Sequence, residues 1–293
     1  MDLICVGDVM LDVRADAGRL ATGGDVHGRV MLRPGGTSAN AAVWAAEAGA
    51  SAAVVGAVGD DLAGELLTRE LAARGVDTGW IRLRHAPTGV MLVAVEAGER
   101  SMVADRGANA LLAPDELPPL EAASVLVSGY LLLQEPGHEV ALAALAAART
   151  EILAVEAASW PLVETFGAER FFAATVAATV VLANDEEAHA LTGLRGAEAA
   201  RALGDRYRAA AVKRGAAGAA LSVDGRLYEE PGAPIEERDP TGAGDAFDGV
   251  LLAGLARGQE PEAALAAACR AGARVAASYE SWPEPEETKE TER

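Results

Sequence analysis

Lysine is nearly missing from this chain. Lys213 and Lys289 are the only two in 293 residues, and apart from four histidines every other basic side chain is arginine. Acids outnumber Lys and Arg by 44 to 25, for a formal net charge of −19 and a pI near 4.6. Such a surface repels DNA, RNA and anionic lipid, which excludes nucleic acid as a partner. It repels small anions too, so a phosphate-bearing ligand needs a local electropositive pocket. Cysteine is equally scarce. Cys5 and Cys269 lie far apart and read as buried free thiols in a reducing compartment, not as a disulfide framework. The histidines (His27, His85, His138, His189) show no metal-ligand spacing. No apolar run is long enough to span a membrane, and no basic segment leads into an apolar one at the start. The class left is a soluble globular protein, expected in the cytoplasm.

Against those absences stands a regular alternation. Short β-branched runs recur at Leu3 to Gly7, Ala52 to Gly59, Ser124 to Gly129, Glu151 to Val155, Thr179 to Ala183 and Ala209 to Gly215. Between them lie Ala-rich helical patterns such as SANAAVWAAEAGA and HEVALAALAAART. Short buried strands separated by helices of that length predict βαβ units and a parallel sheet covered on both faces. Two segments break the rhythm. One lies between the first strand and the first long helix. The other, Thr88 to Asn109, alternates apolar residues, turns at GER and resumes at MVA, which predicts a hairpin. Together they predict a small sheet, a lid, from about residues 11–34 and 86–108. The end of the chain, SWPEPEETKETER, has Pro and charge without periodicity and is expected to be disordered over 281–293.

The stretch RDPTGAGDAFDG, Arg238 to Gly249, packs three glycines before an apolar run. A glycine-rich turn opening a helix offers free N–H groups at a positive dipole end, an anion site. It is not a P-loop, which needs a lysine after its second glycine. Nor is it a dinucleotide fingerprint: Phe247 stands where a small residue should, and the stretch is far from the first strand. Asp245 decides its chemistry. A carboxylate there would repel a bound phosphate unless it has a task, and accepting a proton from an attacking hydroxyl is one. The amides of Gly242, Ala243 and Gly244 would then meet the charge on a transferring phosphoryl group.

DPTGAGDAFDGVLLAG resembles the C-terminal signature of the ribokinase (PfkB) family of carbohydrate kinases. Four further stretches agree in order: RPGGTSANAAVWAAEAGA, VVGAVGDDLAGELL, ANDEEAHALTG and VKRGAAGAAL. The resemblance implies a ribokinase-like α/β three-layer sandwich, with a mostly parallel central sheet and a small β-sheet lid, over residues 1–280. It implies phosphoryl transfer from ATP, with Mg²⁺, to a small sugar or sugar acid. Asp245 matches the base, with Gly242, Ala243 and Gly244 as the anion hole. Asn184 and Glu187 match the motif that organises Mg²⁺ through water, although Asn followed by Glu three residues on is also a helix capping box. Asp239 and Thr241 match positions that help bind a monovalent cation, K⁺. Pro240, in place of the usual Thr, departs from that pattern by removing an N–H and stiffening the loop. Lys213, Gly215 and Gly218 fall where relatives pass close to ATP, though Lys213 also reads as a strand-end surface residue.

On the acceptor side, Asp12 matches the residue that bonds sugar hydroxyls, and Gly35, Gly36 and Asn40 match a second sugar-binding cluster. Carboxylate and amide together accept and donate, which suits a diol. Arg106 occupies roughly the position of an arginine that meets the acceptor carboxylate in 2-keto-3-deoxygluconate kinases. The aromatic residue of that pattern is absent here, so ribose-, fructose- and ketodeoxygluconate-like acceptors all stay open. Lid pairing in relatives implies a homodimer. The competing reading is a catalytically silent relative that binds sugar or nucleotide as a sensor, against which the intact Asp245 and glycine loop argue.

Overall fold

The computed structural model describes residues 1–19, 21–96 and 99–283. The apolar runs form strands close to where the alternation places them: Leu3–Val6, Ala52–Gly59, Ser124–Val127, Ile152–Glu156, Val180–Asn184 and Ala209–Lys213. They pair in parallel in the spatial order Ala209–Lys213, Val180–Asn184, Ile152–Glu156, Ser124–Val127, Leu3–Val6, Ala52–Gly59. Beyond Ala209–Lys213 the sheet continues with an antiparallel hairpin, Ala219–Val223 and Arg226–Glu230. Beyond Ala52–Gly59 it ends in two short parallel strands, Val76–Asp77 and Ile81–Arg84.

The parallel strands read as unbroken apolar runs because both faces are covered. Leu3 and Cys5 enter one hydrophobic cluster, Ile4 and Val6 the other. The first cluster is closed by helices Thr37–Glu47, Leu62–Ala73, Ala243–Ala256 and Pro261–Ala276, the second by Gly137–Ala147, Asp185–Thr192 and Gly196–Gly204. A fully buried leucine such as Leu67 or Leu182 contributes about 1.5–3 kcal/mol. Among the described residues no helix is long and apolar enough to cross a membrane. Cys5 is a buried free thiol, and Cys269 is a half-buried one.

One contact sets the geometry of the site. Gly249, in the Ala243–Ala256 helix, lies so close to Ala41 that a Cβ there would collide with the Ala41 carbonyl. The missing side chain lets this helix press against Thr37–Glu47, far away in sequence.

The lid is a separate four-stranded sheet in the order Arg29–Gly35, Met10–Gly18, Gly89–Glu96, Glu99–Asp105. Met10–Gly18 and Gly89–Glu96 run parallel, while the flanking pairs are antiparallel. The hairpin strand resumes at Glu99 rather than at Met102; residues 97–98, in the expected turn, lie outside the described residues. The disorder expected over 281–293 is corrected at its start. Ser281 and Trp282 are 5% exposed, because an indole carries enough apolar area to fold its segment back onto the core despite flanking prolines and acids. Residues 284–293 lie outside the described residues.

Candidate active site

The site gathers at the C-terminal ends of the parallel strands, where open α/β sheets place their ligands. Pro240 accepts a hydrogen bond from the Ala243 amide at 3.1 Å, and Gly242 sits at φ 82°, ψ −4°, the dihedrals of the third residue of a type II turn. That position demands glycine. The helix then starts at Ala243, and Asp245 stands in its first turn. Of the three loop amides, that of Ala243 is thus turned to Pro240, which leaves those of Gly242 and Gly244 as the ones that an anion at this loop would meet.

Asp245 is not isolated. Asn40, in the helix brought close by Gly249, donates Nδ2 to Asp245 Oδ2 at 2.7 Å. The Asn40 Oδ1 in turn accepts from Trp282 Nε1 at 2.6 Å. An indole N–H can only donate, so Trp282 fixes which end of the amide faces Asp245. Burial pushes the Asp245 carboxyl up to about 7; the Asn40 bond and Lys213 pull it down, while Asp248 and Asp12 push it further up. Proton affinity near neutrality is what a general base requires.

Beneath Asp245 lies a buried charge cluster. Lys213 ends its strand and places Nζ 2.7 Å from Asp248 Oδ2, and about 3.5 Å from where a Cβ on Gly244 would stand. Burial works against the Lys213 charge, but Asp248, Glu187 and Glu156 hold its proton affinity above the ordinary lysine value. Burial also raises the Glu156 carboxyl, with Asp245 adding to the effect. Lys213, its side chain 14% exposed, is therefore a cation paired with a buried carboxylate rather than a free strand-end surface residue. Glu156 and Asp248 were not singled out from the sequence. Glu156 Oε2 and Asp248 Oδ1 are buried without a hydrogen-bond partner.

Asn184 and Glu187 form the capping box in full. Asn184 Oδ1 accepts from the Glu187 amide at 2.9 Å, Glu187 Oε2 accepts from the Asn184 amide at 2.8 Å, and Asn184 Nδ2 donates to Glu187 Oε1 at 2.6 Å. Burial raises the Glu187 carboxyl to about 7, against the pull of Lys213 and the Asn184 amide. Gly218, at φ 87°, packs so tightly that a Cβ would strike the Glu230 carbonyl, whereas a Cβ on Gly215, at φ 54°, would meet open space. Gly218 shapes the turn; Gly215 leaves room beside it.

The acceptor-side residues converge from the lid and the first helix. Asp12 rests against Gly35, where any side chain would collide with its carboxylate. Burial raises the Asp12 carboxyl to about 7, Arg33 pulls it down and Asp239 pushes it up. Gly36, at φ 95°, leaves no room for a Cβ beside the Asp8 carbonyl. Arg106 donates Nη2 to Asp8 Oδ1 at 2.7 Å, while its Nε and Nη1 are buried without a partner. Asn109 bonds both the amide and the carbonyl of Val9, at 3.0 and 2.9 Å, tying the end of the lid to the loop that carries Asp8.

Asp239 and Thr241 are drawn into a different arrangement from the cation site expected. Thr241 donates from its amide and its hydroxyl to Asp239 Oδ1, at 3.1 and 2.7 Å. Arg14 Nη1 donates to Asp239 Oδ2, and Arg33 Nη1 stands 3.9 Å from the same oxygen. Neither arginine was visible as a site residue in the sequence.

The chain matches the family model described as "pfkB family carbohydrate kinase" over residues 1–287. It is 30% identical over 293 residues to a fructokinase of Klebsiella pneumoniae, covering 92% of each chain. It is 31% identical over 290 residues to the ribokinase of Bacillus subtilis, covering 95% of this chain and 90% of that one. Among solved structures, adenosine kinase from Sinorhizobium meliloti superposes with a TM-score of 0.84 at 23% identity, over 97% of this chain and 96% of the other.

Proposed function

The chain belongs to the pfkB family of carbohydrate kinases and has the ribokinase-like fold, and from that premise we propose that it transfers the γ-phosphoryl group of ATP to a primary hydroxyl of a small sugar or sugar acid. Asp245 takes the hydroxyl proton onto a carboxylate oxygen. The freed oxygen forms the new bond to phosphorus as the bond from phosphorus to the β,γ-bridging oxygen breaks and ADP leaves. The Gly242 and Gly244 amides meet the charge on the transferring group, with Lys213 close behind the loop. Asp12, Gly35, Gly36 and Asn40 hold the acceptor, and the lid covers it so that water does not take its place.

The observation that carries this reading is the Trp282–Asn40–Asp245 chain. It aims a carboxylate of raised proton affinity at the positive end of a helix that opens on a glycine turn. Among the described residues no three acidic side chains gather closely enough to hold a metal ion directly, so Asn184 and Glu187 would organise a hydrated Mg²⁺ through its water shell, with the unpartnered Glu156 Oε2 and Asp248 Oδ1 as further hard oxygens of the kind that ion takes. Bound there, Mg²⁺ would neutralise phosphate charge. Lys213, Gly215 and Gly218 border the nucleotide side.

The unpartnered Nε and Nη1 of Arg106 favour an acceptor that brings oxygens of its own, such as a carboxylate. The outer face of the lid presents Val30, Leu32, Leu92 and Val103 at 66, 64, 40 and 64% exposure. An apolar face of that kind supports a homodimer through the lid.

ADP formation from ATP and Mg²⁺ against ribose, fructose, 2-keto-3-deoxygluconate and nucleosides tests the reading. One acceptor should stand out. Asp245→Asn should lower its turnover by about 10²–10⁴-fold while calorimetric ATP binding stays near the native value. Undiminished turnover in that variant would remove Asp245 as the base.

A further inference from the structure

Asp239 is 5% exposed, and each of its oxygens is engaged: Oδ1 by Thr241, Oδ2 by Arg14 with Arg33 beside it. The arginine side chains are themselves 10 and 7% exposed. They come from neighbouring lid strands. The register sets Asp12 opposite Arg33 and Arg14 opposite Met31, so all four point to one face of the lid. Arg14 and Arg33 face Asp12 and Asp239, and Arg33 Nη2 also stands 3.7 Å from Glu280 Oε1. The guanidinium groups lie 5.7 and 5.9 Å from the Tyr279 ring, within cation–π range. A monovalent metal ion at Asp239 would have to displace Arg14 from Oδ2, where a permanent positive charge already sits with Arg33 beside it. The residues do not fit K⁺.

We propose that Arg14, supported by Arg33, stands in place of a monovalent metal cation, and that these two lid arginines position the Asp239–Thr241 segment leading into the Gly242 turn. The physical reason is substitution of one charge by another. A guanidinium is permanently charged, planar and weakly hydrated, so it sits in a dry carboxylate site at lower desolvation cost than an ammonium. Through Asp239 it holds Thr241, and Thr241 precedes the glycine whose left-handed conformation opens the anion site. The cation therefore arrives with the lid instead of from solution. Arg14 and Arg33 act through the loop and touch no reacting atom. The inference rests on reading the glycine turn as the phosphoryl site.

The test compares the native chain in tetramethylammonium, sodium and potassium chlorides at equal ionic strength. Turnover of the acceptor identified above and melting temperature are both followed. Equal turnover and equal melting in all three salts are expected. Several-fold activation by potassium, or a melting temperature raised by potassium over sodium, would overturn the proposal, because a ligand that binds the folded state stabilises it. Arg14→Ala should lose about 10–100-fold in kcat, the scale of a misplaced reacting group. It should then recover in turnover and in melting temperature with millimolar guanidinium. Arg14→Lys, which keeps the charge without the planar fork, should fall between. A purely structural role would give a loss that guanidinium does not repair. If no acceptor is phosphorylated by the native chain, the melting comparison still decides the cation question, and the failure belongs to the proposed activity alone.

Discussion

Replacing Trp282 by Phe removes one N–H and leaves most of the ring that packs against Arg74, 5.2 Å from its centroid. The change touches Asp245 only through Asn40, yet it acts on the proposed base. In the native chain the indole donates to Asn40 Oδ1 at 2.6 Å, and this holds Nδ2 toward Asp245 at 2.7 Å. Without the indole donor, a buried amide oxygen is left unsatisfied, at about 1–3 kcal/mol. Asn40 can then turn its oxygen toward Asp245, and the hydrogen bond to the carboxylate is lost. A bond to a charged group contributes about 1.5–3 kcal/mol, which at 1.36 kcal/mol per unit is about 1–2 pKa units. The native bond lowers the Asp245 pKa from where burial would put it, so its loss moves the pKa upward from about 7. As the proposed base, Asp245 works deprotonated. The acid limb of kcat/KM should therefore move to higher pH by about 1–2 units, with the deficit greatest below neutrality and small near pH 9. Coupled ADP release across that range measures it. An acid limb left in place, or a loss equal at every pH, would show that Trp282 does not act through Asn40.

Lys213→Met should destabilise the fold by about 3–5 kcal/mol in urea titration, because Asp248 loses its buried partner; a midpoint at the native value would show the charges already relieved. Asp12, Glu187 and Asp245, all raised to about 7 by burial, bind protons in the folded chain between about pH 4 and 7 that the unfolded chain releases. Their contribution to stability is thus full below about pH 4 and lost as pH rises through 7. The ligand-free protein should melt lower at pH 8 than at pH 5.5, and Asp12→Asn should flatten that dependence while raising the KM for acceptor. Leu32→Asp should convert a lid dimer to monomer by sedimentation velocity, without lowering the melting temperature of the monomer's core.

The sequence made the frame legible because both of its signals are local. Unbroken apolar runs between Ala-rich helices read as strands covered on both faces, and the glycines before Asp245 read as a turn opening a helix. What stayed hidden depends on register and distance. Arg14 and Arg33 look like any lid arginines until strand pairing sets them on the face with Asp12. Lys213 resembles a strand end at the surface until Asp248, one turn beyond Asp245, is seen to accept from it. Glu156 ends a strand that composition describes only as apolar. Trp282 was concealed by its surroundings: prolines and acids outweighed one indole in a reading by composition, whereas in space the indole found a buried partner 242 residues away.

That separation has a consequence for the order of events at the ribosome. Asn40 emerges early, Asp245 late, and the residue that orients one toward the other later still. The sheet has all its strands once Arg226–Glu230 is out, so the scaffold can begin to consolidate while the base has no neighbour to aim it. A chain arrested or clipped just before Trp282 would keep the strands, the lid and Asp245 itself, and would still carry a carboxylate whose hydrogen-bonding partner is free to face the wrong way. Such a fragment would bind substrate but turn it over below the native rate, most of all below neutrality, and would have lost one buried indole from its core.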